Sequence, residues 1–387
     1  MDEAGEIPIN ISTSPPKEVK SASRMLLEKA DRIVSSEIPL ITEKTESVSG
    51  DKRNFESLSP YHHLDEIGNP FYVDTVFNPN AENYQDPQRL KEAKNAIYIC
   101  SLAAIATKDE LQKEKYKNHA VSAINAWFID EETQMNPSLE YAQMTEDRKG
   151  ENCGNFWGII DGAGLVQIVE GVGNLRDAGL IDEETLDGVK LWFGKYLNWL
   201  LTSEKSIGKK DAENEKERKG EKGALNNHGT FYDVQVAYIA DFLGEKDIVK
   251  GAIQSTKERI KTQITPEGEM PEETGRGDMS LDYQIFNLYG LSQMAIIAER
   301  YGEDLWNYQT DDGRSMEKAF GFVYDQLKGK DKSSFRYDRT GELYFAFRSA
   351  SQEYGIQNYW DLPERIYNDP LSSEVSATVF SQKKPKN

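Results

Sequence analysis

The most chemically loaded stretch of the chain is Asn226-Asn227-His228-Gly229-Thr230-Phe231-Tyr232-Asp233, which sets a histidine beside two carboxamides in a glycine-marked turn that opens a helix. The sequence has only four histidines. Imidazole is the side chain whose ordinary pKa lies nearest neutrality, so His228 is the natural proton handler. Asn227 offers neutral N–H donors, which can hold an anion without adding a competing charge. Further along, Arg276-Gly277-Asp278-Met279-Ser280-Leu281-Asp282-Tyr283 adds a guanidinium and a phenol. Asn, His, Arg and Tyr together suit proton abstraction next to a carboxylate.

The C5 proton of a uronic acid is such a proton. Its removal is hard because the adjacent carboxylate disfavours a carbanion, so that charge must first be neutralised by fixed donors. Asn227 and Arg276 have the right chemistry for this. A base must then reach C5–H and an acid must protonate the leaving O4; His228 and Tyr283 are the candidates. In mannuronate and glucuronate the proton and the leaving group lie on one face, and a single Tyr could serve as base and then acid. In guluronate they lie on opposite faces, and His228 could be the base with Tyr283 the acid. A tyrosine base needs a lowered pKa, which Arg276 would favour. The scheme calls for no metal and no cofactor. The plainer roles are a helix N-terminal residue for His228, in a turn whose Asn residues are common caps, and a core position for Tyr283.

Tyr61-His62-His63 suggests metal at first sight, but no acid or Cys at a recognised ligand spacing accompanies it, and zinc needs three or four ligands. A polar-aromatic rim that stacks on sugar rings fits better, with Tyr141, Gln143 and Trp157 as further substrate-binding candidates whose plainer role is packing. Gly171-Val172-Gly173-Asn174 lacks the third Gly and the preceding strand of a dinucleotide loop. Arg276-Gly277-Asp278 matches a cell-adhesion tripeptide, a three-letter coincidence.

These groups need a scaffold, and the text is helical. Residues 1–16, with Pro8, Pro15 and Pro16, read as an extended arm, and helical periodicity runs from Lys17 to about Ser36. Residues 40–82 are rich in Pro, Gly, Asn and aromatics without a clear period; a loop of that length in a compact domain is functional or disordered. Asp86 can cap a helix with Pro87 in its first position. Helices are predicted over about 87–107, 110–127, 159–179, 183–203, 229–243, 246–263, 281–301 and 314–327. Tyr232, Gln235, Val236, Ile239, Ala240 and Leu243 follow the helical spacing, and Gly244 and Gly302 stand where helices stop. Pairing with short connections suggests stacked helical hairpins. Residues 204–223, dense in Lys and Glu with no apolar face, read as a solvated, mobile loop. Residues 333–372 mix aromatics with Gly and Pro and suggest short strands. Lys383-Lys384-Pro385-Lys386 reads as a frayed tail.

The composition bounds the function. A 387-residue chain with 38% hydrophobic and 29% charged residues can bury a large core. Its net charge of −20 argues against nucleic acid and anionic membrane surfaces. An acidic substrate would have to meet positive charge confined to a cleft. Two cysteines, Cys100 and Cys153, are too few for a disulfide scaffold, and Cys100 lies in an apolar run that suits a buried thiol. No run approaches a membrane span, and no leader sequence follows Met1.

With these motifs the chain resembles the alginate lyase domain family, polysaccharide lyase family five and the related family thirty-eight. The resemblance covers about residues 48–327. It begins at Ser49-Gly50-Asp51-Lys52 and Ser57-Leu58-Ser59-Pro60-Tyr61, and continues through Asn125-Ala126-Trp127-Phe128 and Met135-Asn136-Pro137-Ser138-Leu139-Glu140-Tyr141-Ala142-Gln143. Gly158-Ile159-Ile160-Asp161 and Trp199-Leu200-Leu201-Thr202-Ser203 follow, then the segment from Asn226 to Gln235, then Ser280-Leu281-Asp282-Tyr283 with Phe286-Asn287-Leu288. Leu305-Trp306 and Asp312-Gly313-Arg314-Ser315 complete it. The resemblance implies an all-α fold, an incomplete (α/α) toroid of about five to seven helical hairpins, with residues 17–380 as a single domain including a substrate loop at about 48–82. It also implies β-elimination on an acidic polysaccharide that leaves a C4=C5 unsaturated end, and an exported, periplasmic or secreted enzyme. The family's Asn-His pair maps onto Asn227 and His228, its Tyr onto Tyr283 and its Arg onto Arg276. Where many relatives carry arginines nearer the Tyr, this chain has Gly277 and Met279; where many have two Trp after the loop Tyr, it has His62-His63.

Three rival readings remain at this level. One is a glucuronan lyase with the same mechanism. Another is a glycoside hydrolase on a similar toroid, recruiting two carboxylates from Glu272, Glu273 and Asp278. The third is a non-catalytic polysaccharide-binding protein.

Overall fold

The computed structural model describes residues 22–74, 76–147, 153–210, 215 and 219–367. The arm expected over 1–16, the tail at 383–386 and much of the charged stretch between 211 and 218 lie outside the described residues. Helices of more than two turns are numbered here: α1 (Ala22–Ile33), α2 (Asp86–Ala106), α3 (Glu110–Phe128), α4 (Leu165–Asp177), α5 (Glu183–Thr202), α6 (Asn227–Leu243), α7 (Lys246–Gln263), α8 (Ser280–Arg300), α9 (Met316–Leu327), α10 (Thr340–Tyr354) and α11 (Gln357–Tyr367).

Burial sorts them into two layers. Helix α6 is buried without a break from Gly229 to Ala240, α8 is buried on most of its circumference, and α2 is buried from Ala96 to Ala104. Helices apolar or small all round belong inside. The α3, α7 and α9 helices bury only a stripe and face water on the other side. Inner helices α2, α4, α6, α8 and α10 pack each against the next, while α3, α7, α9 and α11 pack on the inner helix that precedes them and α5 packs on α3 and α6. The result is a helical toroid around a central funnel, with α2 and α10 facing each other across it. One apolar cluster runs from Leu26 to Ile366 and includes the fully buried Trp127, Phe193, Phe231, Phe320 and Phe347. Burial of each such side chain contributes roughly 1.5–3 kcal/mol.

Four departures from the sequence reading matter. The helix expected over 159–179 opens as a 3₁₀ segment, Phe156–Gly164, before α4. The segment packs closely against the backbone of the Tyr141–Met144 strand: a Cβ at Gly158 would lie 2.5 Å from the Ala142 carbonyl oxygen. Where short strands are suggested over 333–372, the described residues up to 367 carry helices α10 and α11 instead. The β-prone aromatics there misled, because Leu343, Tyr344, Ala346, Phe347 and Ala350 are buried at helical spacing. Part of the solvated loop expected over 204–223 is ordered, with a short helix at Glu204–Ile207 and Glu221 fully buried. The Asp86 carboxylate does not cap α2; it bonds Lys44, the Glu56 backbone N–H at 2.9 Å and Arg89 at 3.0 Å, pinning the loop ahead of the helix.

That loop carries small strands. β1 (Glu56–Leu58) pairs in parallel with β4 (Tyr141–Met144), and β2 (His62–Leu64) pairs antiparallel with β3 (Pro70–Tyr72). His62 stands opposite Tyr72 and His63 opposite Phe71. Successive side chains alternate faces, so the two adjacent histidines point to opposite sides of the hairpin. Among the described residues no helix is long and apolar enough to cross a membrane.

Candidate active site

The first turns of α6 and α8 bring their chemistry to one end of the toroid. Asn226 caps α6, its Oδ1 accepting the His228 backbone N–H at 3.2 Å, so Asn227 and His228 occupy the first turn. The His228 Nδ1 lies 2.8 Å from Glu221 Oε1. This contact depends on Gly229, where a Cβ would fall 2.2 Å from the Ala224 carbonyl and 2.1 Å from Arg259 Nη1. Arg259, paired with Asp233, donates to the carbonyls of Ala224 at 2.9 Å and Lys222 at 3.0 Å. The Asp233 of the motif therefore fixes the segment that delivers Glu221. Burial lowers the His228 pKa, but the Glu221 charge and hydrogen bond outweigh it, and the net shift is upward.

Asn227 is fully buried. Its backbone N–H donates to Glu273 Oε1 at 2.6 Å, and its Nδ2 donates to Oε1 at 3.1 Å and Oε2 at 3.0 Å. Burial pushes the Glu273 carboxyl up to about 7. Asn227 Oδ1 and Glu221 Oε2 are buried without a hydrogen-bond partner, a combination that is uncommon away from functional sites.

The Arg276 guanidinium lies 3.7 Å from the centroid of the Tyr283 ring. It is not free: Asp74, from the loop, takes its Nε and Nη2. Tyr72 donates to the same Asp74 carboxylate at 2.6 Å. Tyr283 Oη is 3.0 Å from Tyr61 Oη, which also contacts Tyr337 Oη. Arg276 and Arg339 pull the Tyr283 pKa down, but burial is stronger and the net shift is upward. The lowered phenol pKa expected from the Arg276 neighbour is thus not what the folded site produces.

The six rim candidates separate. Tyr61 joins the tyrosine cluster. His62 stacks on Trp157, with centroids 5.1 Å apart and planes 6° apart, and its Nδ1 bonds Ser59 Oγ at 2.8 Å. His63 bonds the Val76 carbonyl at 2.9 Å and stacks on Phe71, on the other face of the hairpin. Tyr141 packs in a satellite cluster with Leu58, Met144 and Cys153. Gln143, with φ at 47°, donates from Nε2 to Asp161 Oδ1 at 2.7 Å, and Asp161 also accepts from Ser57 at 2.6 Å. A non-glycine residue at positive φ is costly and is held by its surroundings.

The sequence reading missed Glu221, Asp74, Arg339 and Tyr337. Glu221 was hidden in a charge-dense stretch, and Asp74 lies far from Arg276 in sequence. Arg339 lies 4.4 Å from the Phe286 ring centroid and 5.2 Å from that of Tyr337, and the Tyr337 backbone is held by Asp282, which accepts its N–H at 2.9 Å. Of the carboxylates considered for hydrolysis, Glu273 is tied to Asn227 and Asp278 pairs with Arg336 at 3.1 Å. Among the described residues no group of three or more His, Cys, Asp and Glu side chains converges as metal ligands would.

The alginate lyase family model matches residues 41–335. An alginate lyase from Bacteroides ovatus is similar at 27% identity and a TM-score of 0.80, with 94% of this chain and 93% of that chain covered. Alginate lyase A1-III from Sphingomonas species A1 shares the fold at 14% identity and a TM-score of 0.56, with 97% of this chain and 100% of that chain covered. A tetrasaccharide complex of alginate lyase A1-III gives 13% identity and a TM-score of 0.57, with 97% and 100% covered. No curated protein matches the chain by sequence. The family match spans the loop at 48–82, both motif clusters and the helices that carry them, and so this chain belongs to the alginate lyase family and is a polysaccharide lyase.

Proposed function

We propose that the enzyme cleaves alginate by β-elimination, with His228 and Tyr283 moving protons while Asn227 and Arg276 neutralise the C5 carboxylate. The observation that carries this is the convergence of Asn227, Tyr283 and Arg276 with a carboxylate-backed His228 at the N-termini of two buried helices. Those termini add partial positive charge where the enolate develops. The substrate named for the similar solved structures agrees with this reading.

Glu221 accepts from His228 Nδ1–H, which leaves Nε2 as the basic atom toward the cleft. His228 takes H5, electron density moves into the carboxylate, the C4–O4 bond breaks, and Tyr283 gives its proton to O4. A phenol kept neutral by burial suits the acid role. This division of labour is the one anti elimination on guluronate needs, so poly-guluronate is the favoured block; mannuronate and glucuronan, with syn geometry, would require Tyr283 to ionise first. Arg276 reaches the substrate through its remaining Nη1 or by exchanging Asp74 for the incoming carboxylate. Tyr61, Tyr72, His62 and Trp157 form the cover, with the loop closing over the chain. A polysaccharide does not diffuse across a membrane, and a periplasmic or secreted location for the enzyme agrees with this reading.

Ultraviolet absorbance, followed over time with poly-guluronate, poly-mannuronate and glucuronan offered separately, tests the reading. A rising unsaturated-uronate signal, fastest on poly-guluronate, is expected. Reducing ends without that chromophore would replace elimination by hydrolysis.

A further inference from the structure

We propose that the funnel below the catalytic cluster is a second carboxylate-binding subsite, in which Lys94 of α2 and Lys29 of α1 hold a uronate residue remote from the bond that breaks. The proposal rests on the polyuronate reading above and extends it to a region that none of the chemistry so far uses.

The funnel contains a cavity of about 350 Å³ between α2, α4, α6, α8 and α10, at the lower end of the volumes typical of ligand sites. Phe231 and Phe286, stacked with centroids 4.1 Å apart, line it one helical turn beyond His228 and Tyr283. Tyr289, which accepts from Gln167 at 3.4 Å, lines it further in. Phe286 and Tyr289, the partly exposed rings of this wall, offer the kind of surface that sugar rings stack on.

The two lysines set the charge of the place. The aliphatic stem of Lys94 crosses Gly164, where a Cβ would sit 3.4 Å from its Cδ. Among the described residues neither Lys94 nor Lys29 has a carboxylate within ion-pair distance, while Glu342, the acid whose charge acts on Lys94, is bonded to Arg339 at 3.2 Å. Burial and the charges of Lys29 and Lys91 lower the Lys94 ammonium to about 8. Glu170, on the same wall, is pushed up to about 7 by burial, so near neutral pH its carboxyl exists partly in the neutral form. In a chain with 66 acidic and 46 basic residues, two half-buried ammoniums that line one cavity without an ion-pair partner among the described residues are costly. A carboxylate between them offsets that cost. A polyuronate presents a carboxylate on every residue, so a chain reacting at Tyr283 and continuing inward supplies one.

The test is calorimetric titration of unsaturated di- and tetra-guluronate into the Tyr283→Phe enzyme, alone and with Lys94→Met, Lys94→Arg, Lys29→Met or Lys91→Met added. Lys91 is exposed and one turn away on the same helix, so it removes an equal charge outside the cavity. The expected result is about tenfold weaker tetrasaccharide binding for Lys94→Met, with Lys29→Met weaker in the same sense, recovery with Lys94→Arg, and little change for the disaccharide or for Lys91→Met. Should Lys94→Met not fold, as judged by its melting temperature, Lys29→Met decides. Equal losses for Lys94→Met and Lys91→Met, or equal losses for both lengths, would reduce the lysines to a general field and overturn the subsite. If the wild-type enzyme neither binds nor cleaves any uronate, the polyuronate reading falls, and the subsite with it.

Discussion

The two walls of the site are built in opposite ways. On one side, Asn227, His228 and Tyr283 stand in the first turns of helices buried along nearly their whole length. On the other, Tyr61, His62, Tyr72 and Asp74 come from a loop with short strands, where Phe71 is 45% and Tyr72 is 52% exposed. The helical wall is positioned by the core, and its polar partners, Glu221 and Glu273, are fully or almost fully buried. The loop wall is held by the contacts it makes across the cleft: Asp74 on Arg276 and Tyr61 on Tyr283 and Tyr337. These are the atoms that substrate approaches in the proposed mechanism. One wall is therefore positioned by folding, and the other docks on the proposed catalytic groups themselves.

The largest effect should come from the helical wall. Tyr283→Phe removes the acid without disturbing the ring, and kcat should fall by about 10³-fold in the absorbance assay while oligosaccharide binding persists. Near-normal turnover would remove Tyr283 from the mechanism. The walls should also differ in stability. Phe231→Ala, fully buried, should cost about 3–5 kcal/mol in denaturant unfolding; Phe71→Ala, on the exposed hairpin, should stay within about 0.5 kcal/mol. Comparable losses would mean the loop is part of the core unit.

Glu221→Gln probes the link between core and chemistry. The carboxylate raises the His228 pKa above its ordinary value, so a base limb set by His228 should rise above pH ~6.5 in the wild type. Loss of the charge lowers that pKa, and the limb should move to lower pH, with kcat reduced about 10²-fold as the tautomer is no longer enforced. An unmoved limb would separate Glu221 from the base. The smallest effect belongs to the loop. Asp74→Asn removes the anion competing for Arg276, and calorimetry should show oligosaccharide binding about fivefold tighter, near 1 kcal/mol. Weaker binding would mean that docking of the loop matters more than release of the arginine.

Much of the helical wall was legible in the text. Its helices announce themselves by periodicity, and Asn227, His228 and Tyr283 lie at motif positions near helix starts. The loop wall was legible only as a long aromatic segment, because a hairpin so short leaves little pattern. Alternation then decided what spelling could not, turning His62 toward Trp157 and His63 toward Val76. Helices α10 and α11 were misread because aromatic residues favour strands locally, while burial against α8 and α9 imposed the helix.

By itself, the sequence determined the helices from α1 to α9, the glycine stops at Gly244 and Gly302 and the groups able to handle a proton or an anion, since these follow from period and residue type within a few turns. Only the tertiary structure decided which carboxylate backs His228, that Asp74 occupies Arg276, and that burial outweighs the arginines at Tyr283. Those outcomes depend on distances and desolvation between residues far apart in the chain, and neither is written in local spacing.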